Sequence, residues 1–144
     1  MQLEPELIFY FYIKEIRVLA EQGVAIWNSG ITKGQVHDLE KIQKAALKVI
    51  LGENYKTYDT ACDFFEIKSL SERRLDLCTN FALKLFESDR SRDFYTHSSK
   101  ISNTRSDQPP LLENLSRTSR CYNAPHNYQT RLVNQNQARI KQRK

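Results

Sequence analysis

A chain of 144 residues accommodates one domain with a hydrophobic core and is too short for two of ordinary size. Hydrophobic residues make up 40% and the mean hydropathy is −0.63, so part of the chain is expected to stay unpacked. The net charge of +5 is uneven: residues 1–95 hold 13 Lys or Arg against 15 Asp or Glu, residues 96–144 hold 9 against 2, and the basic character therefore belongs to the tail.

From Glu4 to Trp27 the spacing predicts a helix, with Pro5 acceptable in its first turn. Ile8, Tyr12, Ile16, Leu19, Gly23, Ile26 and Trp27 recur at steps of three and four. Phe9, Phe11 and Ile13 lie off that stripe, so the helix is apolar on a second flank for which the chain supplies few neighbours. That surplus implies a partner surface. The same apolar run, Leu7 to Ile13, is far below the roughly 20 residues of a membrane span. Glu4 and Glu6 precede it where a signal peptide would be basic, so neither a span nor a leader is expected.

Asn28, Ser29 and Gly30 break the pattern, and the central helix follows from Thr32, a capping residue, to Gly52, a terminator. On a wheel of about 100° per residue, Leu39, Ile42, Ala46, Val49 and Ile50 share one arc, with Lys41, Lys44 and Lys48 opposite. Thr57 can cap a helix of about two turns from Tyr58 to Phe65, burying Ala61, Phe64 and Phe65. Ser69 and Glu72 stand in the spacing of a capping box and open a helix from Leu70 to about Glu87, whose stripe is Leu70, Leu77, Cys78, Phe81, Ala82 and Leu85. The expected fold is all-α: a small bundle of three long helices and one short over residues 1–95. Residues 96–144 form a low-complexity basic tail, mostly disordered, in which Leu111 to Leu115 and Gln129 to Lys144 could turn helical on binding.

The sequence offers no visible means of catalysis and implies no cofactor in this chain. His37, His97 and His126 stand at no ligand spacing, and Asp59 and Asp63 have the acidic character that a helix start favours anyway. The four glycines form no phosphate loop. Cys62, Cys78 and Cys121, odd in number and widely spaced, read as reduced thiols of an intracellular protein, in cytoplasm or nucleus, with Cys78 in the core. What remains is a positive strip, Lys41, Lys44 and Lys48 with Arg73 and Arg74, which could lie along a nucleic-acid backbone or be plain solvated surface.

Four pieces of wording then stand in order: the helix ending in Trp27-Asn28, LEKIQKAALKVILG from Leu39 to Gly52, YxxYxxA through Tyr55, Tyr58 and Ala61, and LSERRLxLCxxFALK from Leu70 to Lys84. Together, over roughly residues 6–95, they resemble the region just downstream of the polymerase palm in reverse transcriptases of non-LTR, jockey-like retrotransposons. The resemblance implies a fragment, thumb-like helices without the palm aspartates, whose catalytic segment would lie upstream of Met1. Such a fragment, unable to act as an RNA-directed DNA polymerase alone, would grip an RNA–DNA or DNA duplex through its phosphates, or meet the missing palm. The residues it nominates are Lys41, Lys44, Lys48, Arg73, Arg74 and Lys84, joined by Arg131, Arg139, Lys141, Arg143 and Lys144 of the basic tail. The alternative is a self-standing helical module that binds nucleic acid or a protein.

Overall fold

The chain's regular structure follows from where its helices start and stop, and each of those marks is visible in atomic detail. In the computed structural model, residues 4–91, 93, 95, 111–114 and 117–136 are described. Every regular element among them is helical, as expected. In chain order these are α1 (Pro5–Phe11), a π-helical segment (Tyr12–Ile16), α2 (Arg17–Glu21), α3 (Val24–Trp27), α4 (Lys33–Leu51), α5 (Tyr58–Phe64), α6 (Leu70–Glu87), α7 (Ser119–Tyr122) and α8 (Pro125–Gln135), with short 3-10 turns at Asn28–Gly30 and Gly52–Asn54.

The caps form as read. The Thr32 hydroxyl accepts from the Gln35 amide at 3.3 Å while the Gln35 side chain accepts from the Thr32 amide at 2.8 Å. Thr57 and Thr60 close the same box on α5, and Ser69 with Glu72 on α6. At the far end of α4, Gly52 takes φ +51°, a conformation that a Cβ would strain.

The N-terminal helix is broken where one continuous helix was expected. Its five-residue π segment inserts an extra residue per turn, and the chain bends again at Gly23, with φ +65°. The stripe is therefore interrupted: Tyr12 is buried, whereas Ile16 and Leu19 of the same stripe are exposed.

The chain divides into two compact units, Met1–Val24 with Ile31–Leu75, and Ala25–Gly30 with Asp76–Lys144, a division that does not follow the change in composition near residue 95. In the first unit Tyr12, Leu47, Ile50, Ala61 and Cys62 form the core, with Phe9 stacked on Phe65 at 4.1 Å between centroids. Phe64, expected inside, is exposed. On a wheel starting at Lys41, the inward arc of α4 lies at about 180–260° (buried Ile50, Gln43 and Leu47, with Glu40 half-buried at its edge), whereas the arc read from the sequence lay at about 80–180°. Gln43 and Glu40 carry the difference. They are polar, and apolar periodicity cannot count them.

In the second unit Cys78, Thr79, Ala82 and Leu83 of α6 are buried, as are Leu132 and Val133 of α8, while Phe81 is exposed. A helix here is a correction to the reading of residues 129–144 as unstructured when unbound. Over 125–135 the helix is formed, opening on Pro125, with polar Asn127, Gln129 and Thr130 buried as well. Asn127 and Asn134, seven apart and so on one face, hold the non-helical stretch 111–114 by its main chain. Leu111 N–H donates to Asn134 Oδ1 at 2.9 Å and Leu111 O accepts from Asn134 Nδ2 at 3.1 Å. Asn114 N–H donates to Asn127 Oδ1 at 2.8 Å and Asn114 O accepts from Asn127 Nδ2 at 3.3 Å. Residues 96–110 and 137–144 lie outside the described residues.

Candidate nucleic-acid strip and the network behind it

Helix α4 carries three sectors with different fates, and the lysines occupy the outermost. Lys41 sits at 2.9 Å from Asp38, both well exposed, a pair worth little in water. Lys44 Nζ stands 5.0 Å above the Tyr58 ring and Lys48 Nζ 5.5 Å above the Tyr55 ring. Tyr55 and Tyr58 thus orient two of the three ammonium groups. From Lys41 to Lys48 the helix rises about 10 Å, a run that matches about three phosphates of one strand.

The other basic residues of the sequence reading are deployed differently. Arg73 Nε contacts Glu21 Oε1 at 3.3 Å, and the same carboxylate oxygen receives Arg17 Nε at 3.1 Å. Arg74, named as a phosphate contact, is corrected: it is 2% exposed, with Nη2 donating to Ser71 Oγ at 3.3 Å, and does not reach the surface. Lys84 is exposed on α6. Arg131 is also engaged within the chain rather than free for phosphate. Its Nη1 donates to Glu113 Oε2 at 3.1 Å and to Tyr122 O at 2.9 Å, and its guanidinium lies 4.0 Å from the Tyr122 ring centroid. Arg139, Lys141, Arg143 and Lys144, like His97, fall outside the described residues. Within the first unit this leaves Lys41, Lys44 and Lys48 as the strip.

Behind the lysines runs a chain of hydrogen bonds that sequence reasoning missed. Tyr12 Oη donates to Gln43 Oε1 at 2.9 Å, and Gln43 Nε2 donates to Tyr58 Oη at 2.9 Å and to Lys68 O at 3.1 Å. Tyr58 Oη donates to Glu40 Oε2 at 2.7 Å, and Glu40 Oε1 accepts from the Ser71 amide at 2.6 Å and the Ser71 hydroxyl at 2.7 Å. Ser71 lies in the first turn of α6, where a carboxylate also meets the positive end of the helix dipole. Burial alone would raise the Glu40 carboxyl, but the hydrogen bonds from Tyr58 and Ser71 hold it below the usual carboxylate range. Burial pushes both Tyr12 and Tyr58 well above the ordinary phenol range, and for Tyr58 the Glu40 carboxylate adds to it. The signal was present in the spacing: Glu40, Gln43, Leu47 and Ile50 recur at steps of three and four, but only two of them are apolar.

A depressed carboxylate stabilises the fold above its unfolded value, here 4.5, and that contribution is lost as pH falls through the folded value. Glu40→Gln is therefore expected to cost about 1–2 kcal/mol at pH 7 and to flatten the loss of stability between pH 5 and 3. Urea unfolding of both proteins across that range checks it; parallel pH profiles would refute the assignment.

Burial also pushes the Tyr95 phenol up to about 12. In the second unit it packs edge-on to Phe86 and over His126, and its hydroxyl has no partner among the described residues. The three cysteines form no disulfide, and Cys62 and Cys78 are buried while Cys121 is exposed. Among the described residues no three His, Cys, Asp or Glu side chains gather as a metal group, and no helix is long and apolar enough to cross a membrane. Comparison with protein-family models, with curated proteins and with solved structures found no match.

Proposed function

We propose that the chain is the helical, thumb-like piece that follows the palm of a non-LTR retrotransposon reverse transcriptase, gripping a template-primer duplex by its phosphates. The observation that carries this reading is where the motif pieces meet. Glu40 and Gln43 come from the LEKIQKAALKVILG piece, Tyr58 from YxxYxxA and Ser71 from LSERRL, and the four form one hydrogen-bonded run. Wording kept at fixed intervals is what such a network demands, because each piece supplies a partner that the others need. The same pieces place Tyr55 and Tyr58 beneath Lys48 and Lys44. The contact supported is a backbone contact: lysines alone, with no base-reading geometry.

Fluorescence anisotropy with a labelled RNA–DNA duplex tests it. Three neutralised phosphates predict a slope of log affinity against log salt of about −2.7, indifferent to duplex sequence. Lys44→Glu with Lys48→Glu should weaken binding by about tenfold or more at low salt, on the order of 1.4 kcal/mol. Salt-independent affinity, or a double variant that binds as well as the parent, would remove the grip. The second reading, a helical module for a protein partner, is favoured by one feature, the apolar sector of α4.

A further inference from the structure

The third sector of α4, at about 40–140° on the same wheel, lies outside the lysines and borders the core only at Ala46. It carries Ala45, Val49, Ile42 and Ala46, and it faces Ile8, Phe11 and Ile16 across an open apolar hollow of about 430 Å³. A second hollow of about 390 Å³ shares Ile8 and Phe11 with the first and extends the face along α1 to Leu7 and Tyr10. The side chains concerned are not marginally wet: Val49 is 72% exposed, Phe11 57% and Tyr10 60%.

Together with Leu7, Ile16 and Ile42, which are exposed as well, the open parts of this face amount to on the order of 600 Å², given about 150–250 Å² for each aromatic. That reaches the upper end of the roughly 300–600 Å² of a monomer's largest apolar patch. It also approaches the about 800 Å² that each partner contributes to a stable pair. Charge narrows the choice of partner. The first unit holds ten Lys or Arg (of the chain's 22) against eleven Asp or Glu (of 17), a net charge of −1, so this body neither draws a polyanion to its apolar face nor repels its own copy. The edges of the face carry both signs, Lys14 and Glu15 beside Phe11, Asp38 and Lys41 beside Ile42, which suits a self-complementary contact. Ala45, midway between Ile42 and Val49, is small enough to let a second helix approach to about 8 Å between axes.

We infer that the occupant of this face is a second copy of the chain, α4 against α4 in antiparallel sense about a two-fold axis near Ala45. The contact is isologous, with Val49 and Phe11 of each copy entering the hollow of the other. It goes beyond the duplex-gripping role and does not depend on it.

Sedimentation equilibrium of the full chain over a wide concentration range is the first test, and a reversible monomer–dimer equilibrium is expected. Val49→Glu and Phe11→Glu, each with unchanged far-ultraviolet circular dichroism, should raise the dissociation constant by a hundredfold or more. Leu19→Glu, exposed but outside both hollows, should leave it unchanged. Ala45→Cys in a Cys121→Ser background should give a disulfide-linked dimer on mild oxidation. A monomer at the highest concentration would overturn the proposal. So would a dimer indifferent to Val49→Glu, or the absence of a cross-link at position 45.

Discussion

Replacing Gln43 with alanine is expected to lower the unfolding free energy of the first unit by about 3–5 kcal/mol, the largest loss for any polar position in it. Gln43 is fully buried. Its carbonyl takes the Tyr12 hydroxyl, and its amide serves Tyr58 and the Lys68 main-chain oxygen, with Cys62 Sγ a further 3.6 Å contact. Truncation removes side-chain volume and takes the acceptor away from the buried Tyr12 phenol, a loss of about 1–3 kcal/mol on its own. Gln43→Leu separates the two contributions. It restores volume without hydrogen bonds, so it should remain destabilised, and adding Tyr12→Phe should recover part of the loss because one orphaned donor disappears. Urea unfolding of the three variants measures this. A Gln43→Leu protein as stable as the parent would show that shape, not hydrogen bonding, holds this point of the fold.

The second large effect concerns α8. Val133 has no exposed surface, so Val133→Asp must either bury a carboxylate or undo the packing around it, and more than about 4 kcal/mol is expected to be lost. The consequence is local: amide protection over Pro125–Gln135 should vanish in hydrogen exchange, and helical circular dichroism should fall by that segment's share. Thr130, whose hydroxyl donates to His126 O at 2.9 Å, is a milder site, and Thr130→Val should retain the helix. If Val133→Asp leaves exchange over α8 unaltered, the helix is not packed as described.

Helix ends were legible in the sequence because capping is local chemistry. Thr32 with Gln35, Thr57 with Thr60, and Ser69 with Glu72 satisfy free amides within three residues, and Gly52 supplies a backbone conformation that follows from its missing Cβ. Faces were less legible, because they depend on what lies opposite. Periodicity ranked Ile42 and Val49 above Gln43 and Glu40 for the core, yet Tyr12 and Ser71 from distant points of the chain supply the partners that let Gln43 be buried and Glu40 half-buried. The α8 segment failed for the same reason, since three of its five buried residues are Asn, Gln and Thr. Of the nominated cations, Arg74 turned inward and Arg131 paired with Glu113, and no sequence signal separates such engaged guanidinium groups from free surface ones. Of the second apolar flank read on the first helix, Phe11 is exposed, whereas Phe9 and Ile13 found neighbours in the core that periodicity could not supply.

Asn127 and Asn134 recognise residues 111 and 114 through amide and carbonyl atoms that every amino acid except proline possesses. The side chains of Leu112, Glu113 and Asn114 are exposed, and of the four residues in this stretch Leu111 alone is buried. Leu112 and Asn114 can therefore change side chain while the anchoring persists, whereas Glu113 also answers to Arg131, so the two asparagines a heptad apart hold a segment whose lettering is only partly constrained.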